Sequence, residues 1–228
     1  MICCINLSMN LPQNKTYKDM GVLGLKALAF EYGVDDDIDF VKSHSDKSET
    51  ILDLACGYGR VAIALAEAGY EKIYGIDLAY NLIEDAKREV KERGLKVNFV
   101  LGDMRALPYE KNMFDKIFCL WNSFNEILTK TDQIKVLNEV HRVLKPGGEA
   151  FFAIHNGEDE SVQELFRSGE LSSETRIRKV NFNGGDVYQY MHSRKTLKDL
   201  LDEVSFFEQS VEFVKMHNRK RILMRIKK

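Results

Sequence analysis

The segment 51–60, Ile-Leu-Asp-Leu-Ala-Cys-Gly-Tyr-Gly-Arg, constrains the fold of this chain more than any other part of its sequence. It has the pattern of a buried β-strand that carries an acid, Asp53, near its end and continues through a glycine turn into an alanine-rich helix. Glycines let a ligand approach the backbone where a side chain would block it, and the new helix directs unpaired N–H groups to the same place. We therefore predict an open α/β sheet that binds a nucleotide-like cofactor at this junction.

Two kinds of cofactor fit this junction. The spacing Gly57-x-Gly59-x-x-Ala62, with Asp77 about 20 residues later, agrees with the fingerprint of dinucleotide-binding proteins and favours NAD. Asp53 argues against NAD, because a carboxylate gains nothing from an anionic pyrophosphate and would repel it. A cofactor that carries an ammonium and a sulfonium group would instead be attracted to Asp53.

Strand and helix patterns alternate through the core of the chain. The strand patterns cover 50–55, 72–77, 97–101, 114–121, 150–155, 210–216 and 221–226. Helical patterns separate most of the first five, and this alternation predicts a mainly parallel sheet with helices on both faces. Ligands bind beyond the carboxyl ends of such strands. Five polar or aromatic residues fall at those ends: Asp53, Asp77, Asp103, Trp121 and His155.

Two segments lie outside this alternation. Residues 16–32 have helical periodicity, so we predict an N-terminal helical extension within 1–48 and assign 49–228 to the sheet domain. Between 156 and 193 the pattern breaks, and two β-like runs flank Asn183-Gly184-Gly185, which is typical of a hairpin. A helix over 196–204 follows, for which Thr196 and Asp199 suggest a capping box.

Five short motifs occur in a fixed order between residues 51 and 155. They are Asp53-Leu-Ala-Cys-Gly57-Tyr-Gly59, Tyr74-Gly75-Ile76-Asp77-Leu78, Gly102-Asp103-Met104, Phe114-Asp115-Lys116-Ile117-Phe118-Cys119-Leu120 and Leu144-Lys145-Pro146-Gly147-Gly148. In this order they resemble the motifs of class I S-adenosylmethionine (SAM) dependent methyltransferases. The resemblance implies a Rossmann-like, doubly wound sheet of seven strands whose last strand is antiparallel and inserted. It also implies that the N-terminal helix and the insertion at 156–193 cover the substrate.

The resemblance further implies which residues hold SAM and its product, S-adenosylhomocysteine (SAH). Gly57 and Gly59 would let the methionine moiety approach the backbone, and Asp53 would orient that moiety. Asp77 would accept hydrogen bonds from both ribose hydroxyls, since its two oxygens suit a vicinal diol. The carbonyl of Leu120 would bind the cofactor ammonium. The other expected cofactor-binding residues lie in the first turn or beside the adenine: Ala55, Tyr58, Leu78, Asp103 and Met104.

Methyl transfer from a sulfonium is an in-line displacement, in which the protein aligns the nucleophile and excludes water. A base is needed only when the nucleophile arrives protonated, and His155 and His192 are the candidates. Trp121 and Asn122 follow the fourth strand, beside the expected methyl group. This loop lacks both the Asn/Asp-Pro-Pro-Tyr motif of amino-methylating enzymes and the Pro-Cys of cytosine C5 enzymes. By elimination we expect a small-molecule acceptor with a nitrogen or oxygen nucleophile.

The charge of the chain is unevenly distributed. The net charge of −2 over 228 residues favours neither nucleic acid nor a membrane surface as a bulk partner. From Leu171 onward, however, there are 13 basic and 7 acidic residues, and seven basic residues but no acid follow Glu212. We interpret this end as a solvent-exposed edge strand, on which the Lys and Arg side chains prevent pairing with another chain. A patch that faces an anionic substrate or RNA is the alternative.

The sequence indicates neither a metal site nor a membrane segment. The four cysteines form no C-x-x-C pair, and we interpret Cys56 and Cys119 as small buried hydrophobic residues. No apolar run approaches the ~18 residues of a membrane span, and no signal peptide is evident, so we expect a cytoplasmic protein. Met9 is an alternative start to Met1.

Three other functions stay open at this point. The first is an RNA- or protein-methylating enzyme, for which the basic C-terminal segment is the only support. The second is an NAD-dependent oxidoreductase, which rests on the glycine spacing alone. The third is a SAM-binding protein without turnover, because its cofactor motifs would be the same as those of an enzyme.

Overall fold

The computed structural model describes residues 15–32, 36–182 and 185–228. Its helices are α1 (Lys15–Tyr32), α2 (Asp36–Ser43), α3 (Arg60–Glu67), α4 (Tyr80–Glu92), α5 (Lys130–Val143), α6 (Glu160–Ser168) and α7 (Arg194–Leu201). Its strands are β1 (Thr50–Leu54), β2 (Lys72–Asp77), β3 (Asn98–Leu101), β4 (Phe114–Cys119), β5 (Leu144–Ile154), β6 (Ile177–Phe182), β7 (Gly185–Tyr190), β8 (Glu208–Met216) and β9 (Arg219–Lys227). A short 3-10 helix, Ser123–Glu126, follows β4.

Seven strands form one sheet in the order β3-β2-β1-β4-β5-β9-β8. The first five strands in the chain pair in parallel, whereas β9 is antiparallel to both β5 and β8. The chain runs outward from β1 to β2 and β3 on one side and from β4 to β5 on the other. The crevice between β1 and β4 is therefore the point at which an open sheet binds its ligand. The predicted doubly wound, mainly parallel sheet with an antiparallel last strand is confirmed.

Helices cover both faces of this sheet. Side chains on a strand alternate between the faces, so Leu52 and Leu54 pack with α5 and α7, while Ile51 packs with α2, α3 and α4. These strand residues are fully buried, which explains why β1 has a continuous apolar sequence apart from its acid. The two apolar layers hold the carboxyl ends of the parallel strands in fixed positions, and the functional residues stand on those ends.

The insertion between β5 and α7 contains the predicted hairpin and one unexpected helix. β6 and β7 pair antiparallel as a separate two-stranded sheet, and the residues 183–184 between them lie outside the described residues. α6 was not predicted from the sequence. Val162, Leu165 and Phe166 of this helix pack on a small satellite cluster with Leu171 and Met191.

Two local predictions need correction. α7 begins at Arg194, and its capping box is formed by Ser193 and Thr196, so the prediction that used Thr196 and Asp199 was wrong. The basic strand β9 is not the edge of the sheet, because it lies between β5 and β8. Arg225 of β9 pairs with Glu149 of β5, so part of its charge is balanced inside the sheet.

Other expectations concern single residues or the whole chain. Cys56 and Cys119 are buried free thiols, as interpreted from the sequence, whereas Met1, Met9 and their neighbours lie outside the described residues. None of the helices that the structure describes combines the length and the apolar character that crossing a membrane requires. Within the same residues, no group of three or more His, Cys, Asp or Glu side chains is placed to share a metal ion.

Candidate active site

A cavity of about 340 Å³ opens at the carboxyl ends of the parallel strands. Its volume lies in the range of small-molecule sites, roughly 300–1,000 Å³. Twelve of the fourteen residues predicted from the sequence line it: Asp53, Ala55, Gly57, Tyr58, Asp77, Leu78, Asp103, Met104, Leu120, Trp121, Asn122 and His155. Gly59 and His192 are not part of the lining.

The glycine turn after β1 forms the floor of the cavity. Gly57 has a φ of 53° and an ideal Cβ placed on it meets nothing within 4 Å, so the space in front of its backbone is open. Gly59 has a different role, because its φ is 79° and a Cβ there would lie 2.5 Å from the ring of Phe99. Gly59 is thus required by the left-handed start of α3 and by packing, and the ligand approaches the backbone at Gly57.

Asp77 is held in place by the backbone of two turns. One carboxylate oxygen accepts a hydrogen bond of 2.8 Å from the N–H of Gly57, and the other accepts one of 2.8 Å from the N–H of Ala79. Burial raises the pKa of Asp77, although these N–H groups act in the opposite direction. Each oxygen keeps acceptor capacity for a ligand, so the carboxylate is positioned before any ligand arrives.

Asp53 is the most buried acid of the cavity, with 5% of its surface exposed. Its carboxylate accepts a hydrogen bond of 3.3 Å from the N–H of Ala62 in α3. Burial raises the pKa of Asp53 to about 7, even though the positive charge of Arg60 opposes this shift. Arg60 is itself paired with the buried Asp37.

Asp103 is fixed by a neighbour that the sequence prediction did not weigh. The side chain of Arg105 donates to both carboxylate oxygens, and the backbone N–H of Arg105 donates as well. Burial alone would raise the pKa of Asp103, but these contacts outweigh it and hold the pKa below its usual value. Asp103 therefore reaches the cavity as a charged group with a preset orientation.

The turn after β4 has unusual backbone geometry. Trp121 and Asn122 have φ values of 52° and 66°, a left-handed conformation that few residues with side chains adopt. Strain of this kind persists where surrounding contacts enforce it and is concentrated at functional sites. The carbonyl of Leu120, expected to bind a cofactor ammonium, accepts weak hydrogen bonds from the N–H and hydroxyl of Ser123.

The two candidate histidines lie in different environments. His155 lines the cavity, and its Nδ1 is buried with no hydrogen-bond partner among the described residues. Burial, together with Arg221, Arg178 and Arg219, lowers the pKa of His155 to about 4. His192 lies outside the cavity, stacked on Phe124, and burial lowers its pKa to about 3. Of these two histidines, His155 alone lines the cavity.

Sequence reasoning missed a contact between α1 and the turn after β4. Tyr17 of α1 donates a short hydrogen bond to Glu126, at the end of the 3-10 helix after β4, and both residues line the cavity. Burial raises the pKa of Glu126 to about 8, although the hydrogen bond from Tyr17 acts in the opposite direction. The two residues are 109 positions apart in the chain, so no local pattern could have joined them.

Basic residues at the opposite end of the cavity were also missed. Arg178 of β6 and Arg219 and Arg221 of β9 line this end together with Gln189 of β7. The signal was present in the sequence, because an antiparallel last strand starts at the edge where the parallel strands end. The basic C-terminal segment was instead interpreted as a solvated edge, and for Arg221, of which only 4% is exposed, that interpretation was wrong.

Comparisons with known proteins agree with this geometry. Residues 51–148 match the family model described as a methyltransferase domain. YqeM of Bacillus subtilis (strain 168), which its name describes as a methyltransferase, is 39% identical over 145 residues, 62% of this chain and 57% of YqeM. The demethylmenaquinone methyltransferase of Geobacillus stearothermophilus is 40% identical over 105 residues, 45% of this chain and 43% of the relative.

A solved structure matches most of the chain. It is the 1,6-didemethyltoxoflavin-N1-methyltransferase of Burkholderia thailandensis with bound 1,6-didemethyltoxoflavin and SAH, which is 15% identical with a TM-score of 0.68. The match covers 93% of this chain and 85% of that one and shows that the fold is shared.

The fold and the acidic cavity beyond its parallel strands are typical of α/β domains that bind a ligand at the switch point of the sheet. Residues 51–148 are similar to methyltransferase domains, and the chain shares the fold of a solved methyltransferase that holds SAH. The matched region spans about half the length of the curated relatives, 57% and 43% in the two described above.

Proposed function

We propose that this protein transfers the methyl group of SAM to a nitrogen or oxygen of a small-molecule acceptor and releases SAH. The order of charges along the cavity carries this proposal. Asp53, Asp77 and Asp103 line the part beyond β1, β2 and β3, whereas Trp121 and Asn122 lie beyond the next strand, β4. A cationic cofactor is attracted to the carboxylates, and the acceptor then takes the remaining end.

The residues of the acidic end fit SAM better than a dinucleotide. Asp53 is buried and forms no ion pair within 4.0 Å among the described residues, so a cofactor with a positive charge would compensate it. Gly57 leaves its backbone open to the methionine moiety, and Asp77 presents two fixed acceptors suited to a ribose diol. Leu78, Asp103 and Met104 then remain for the adenine.

The chain contributes alignment and exclusion of water to the transfer. When bound, SAM supplies a methyl group on a sulfonium that is already activated as a leaving group. Trp121 and Asn122 border the place of transfer in a constrained turn, while Tyr17 of α1 and Val180 of β6 close the cavity from above. His155 lines the cavity and is neutral at pH 7, so its imidazole is suited to accept a hydrogen bond from a protonated nucleophile.

The names of one relative and one structural neighbour support a small acceptor. One acts on demethylmenaquinone, and the other is described with bound 1,6-didemethyltoxoflavin. The cavity volume of about 340 Å³ also suits a small molecule better than a macromolecule. An RNA-methylating enzyme is the second candidate, which the arginines at the cavity mouth would favour. A steep loss of RNA affinity with rising salt would support it.

A thermal-shift comparison with SAM, SAH and NAD(H) tests the cofactor. At about 100 times its dissociation constant a ligand adds ~2.7 kcal/mol to the free energy of unfolding. For a chain of this length this raises Tm by roughly 5–10 °C. We expect SAM and SAH to stabilise the protein and NAD(H) to have no effect. Stabilisation by NAD(H) alone would contradict the proposal.

Turnover is tested separately, because a SAM-binding protein without activity would pass the thermal-shift test. The purified chain is incubated with SAM and mixtures of small amines, phenols and hydroxy acids, and SAH release is measured. We expect at least one mixture to accelerate SAH release above the rate without acceptor. Tight SAM binding combined with no transfer to small molecules, RNA or protein would identify a non-catalytic binder.

A further inference from the structure

The end of the cavity opposite the three acids is basic. Arg178, Arg219 and Arg221 line it, with Gln189 beside them. The acidic residues of the lining lie at the end of β1 and β2 or in the segments that follow β3 and β4: Asp53, Asp77, Asp103 and Glu126. Arg60 also lines this part of the cavity, where it is paired with Asp37. Among the described residues, the cavity therefore has an acidic cofactor end and an acceptor end lined by guanidinium groups.

The topology explains why three distant segments meet here. Ile154 of β5 pairs with Ile222 of β9, so His155 and Arg221 are the next residues at the same edge of the sheet. In the hairpin, Arg178 of β6 lies directly opposite Gln189 of β7. Because β9 is antiparallel, its start reaches the carboxyl ends of the parallel strands, and the hairpin lies over the same edge.

Arg221 is the residue that points to a ligand. It is 4% exposed, and one terminal nitrogen donates a hydrogen bond of 2.9 Å to the amide oxygen of Asn122. Its Nε has no hydrogen-bond partner among the residues that the structure describes. Burial, and the charge of Arg219, lower the pKa of Arg221 to about 10, so it stays charged at neutral pH. A buried cation with a neutral amide as its partner is costly unless something else compensates it.

Another arginine of β9 has its positive charge compensated by a carboxylate. Arg225 lies four residues further along β9 and pairs with the carboxylate of Glu149. No ion pair within 4.0 Å is formed by Arg178 or Arg221 with the acids that the structure describes. The acids nearest to this end are already engaged, since Asp37 pairs with Arg60 and His217, and Asp159 caps α6.

We propose that the basic end of the cavity binds an oxyanion of the methyl acceptor, a carboxylate or a phosphate group, through Arg178, Arg219 and Arg221. This inference rests on the proposed function, because it assigns the acceptor to this end. Guanidinium groups present planar pairs of donors that match carboxylate and phosphate oxygens. Gln189 adds a further donor, and the neutral His155 lies between the oxyanion and the place of transfer.

The test uses the full chain saturated with SAH and two probes, inorganic phosphate and benzoate, each titrated at constant ionic strength against sodium chloride. We expect one or both probes to raise Tm in a saturable manner. Arg178→Gln should weaken the apparent affinity roughly tenfold, which corresponds to about 1.4 kcal/mol. Arg219→Gln, at the exposed mouth, should weaken it in the same direction. Arg167→Gln, on the outer side of α6 with its side chain 54% exposed, is the matched control and should behave as the unmodified protein.

The outcomes separate the two proposals. A response to phosphate alone identifies a phosphate-bearing acceptor, and a response to benzoate alone identifies a carboxylate. The oxyanion site would be overturned if neither probe raised Tm. It would also be overturned if Arg178→Gln and Arg219→Gln bound the probes as tightly as the unmodified protein does. Stabilisation by a short RNA without a response to either small probe would also overturn it. Stabilisation by SAH is measured in the same samples, so its absence would count against the proposed function instead.

Discussion

At the scale of single residues, the acids at the strand ends differ in how they are held. Asp77 is clamped by two backbone N–H groups, Asp103 by Arg105, and Asp53 by burial against α3. Each is thus oriented by a partner that also shifts its pKa. A site preorganised in this way loses little free energy when it orders its ligand.

Replacement of Asp77 by alanine should weaken SAM binding by about 1–3 kcal/mol, the range expected for the loss of charge-assisted hydrogen bonds to the ribose. Isothermal titration of the variant with SAM and SAH measures the effect. Because the variant also loses the clamp on Gly57 and Ala79, circular dichroism must first show that it is folded. Full affinity in a folded variant would remove Asp77 from the site.

Gly57→Ala and Gly94→Ala form a matched pair. Both glycines have φ values in the left-handed region, 53° and 64°, and open space where a Cβ would stand. Each substitution should therefore cost roughly 1–2 kcal/mol of stability through backbone strain. Only Gly57→Ala should also abolish most SAM affinity, because its Cβ would enter the cavity, whereas Gly94 follows α4. Equal SAM affinity in the two variants would show that the ligand does not approach Gly57.

At the scale of elements, the cover of the cavity is built from α1 and the hairpin. α1 is broken at Gly21, whose φ of 64° and ψ of −176° are not helical, and residues on both sides of the break, Tyr17 and Leu25, line the cavity. The hydrogen bond from Tyr17 to Glu126 joins this cover to the turn after β4. We regard this contact as a latch, which holds α1 over the bound cofactor.

Tyr17→Phe should accelerate SAH dissociation by up to roughly tenfold, since a hydrogen bond between neutral groups contributes about 0.5–1.5 kcal/mol. Stopped-flow displacement of SAH measures the rate. Tyr70→Phe is the control, because it also removes a hydrogen-bonded tyrosine hydroxyl, one that contacts Ser45 away from the cavity. If both variants release SAH at the unmodified rate, Tyr17 does not act as a latch.

The elements also show what the sequence could and could not predict. Asp53, Asp77 and Asp103 were predicted because each follows its own strand, so a local pattern places it at the edge of the sheet. Tyr17 and Glu126 were missed because their contact depends on how α1 folds back over a turn 109 residues away.

Helix boundaries were also partly missed. α6 was missed although Val162, Leu165 and Phe166 have helical spacing, because the helix is only nine residues long and packs on a satellite cluster. The start of α7 was placed too late, because Ser193 and Thr196 form a box in which threonine replaces the usual acidic partner. In both cases tertiary packing and side-chain hydrogen bonds decided what periodicity alone could not.

At the scale of the whole molecule, the sheet separates charge along one cavity. The acids follow the parallel strands on one side, and an antiparallel strand brings Arg219 and Arg221 to the same edge on the other side. A cationic donor and an anionic acceptor would then each be drawn to its own end. The net charge of −2 gives no sign of this arrangement, because it averages over both ends.

Buried ionisable groups around the cavity should make stability depend on pH. The pKa values of Asp53 and Glu126 are raised to about 7 and 8, so the folded state holds protons that the unfolded chain releases above about pH 4. Their contribution to the free energy of unfolding is therefore lost progressively as pH rises from about 4 to between 7 and 8. His155 and His192 have lowered pKa values of about 4 and 3, so their contribution is lost as pH falls below about 6.5.

The two opposing effects offset each other between about pH 4.5 and 6.5, so we expect the protein without ligand to lose stability from about pH 6.5 to 8. SAM should change this profile, because its positive charge favours ionised Asp53 and binding at pH 6 requires the loss of a proton. We therefore expect the rise in Tm caused by SAM to be larger at pH 8 than at pH 6. The asparagine side chain of Asp53→Asn does not titrate, so in this variant the rise in Tm caused by SAM should be smaller and should depend less on pH. An increment that is equal at both pH values in the unmodified protein would show that Asp53 does not face the charge of the cofactor.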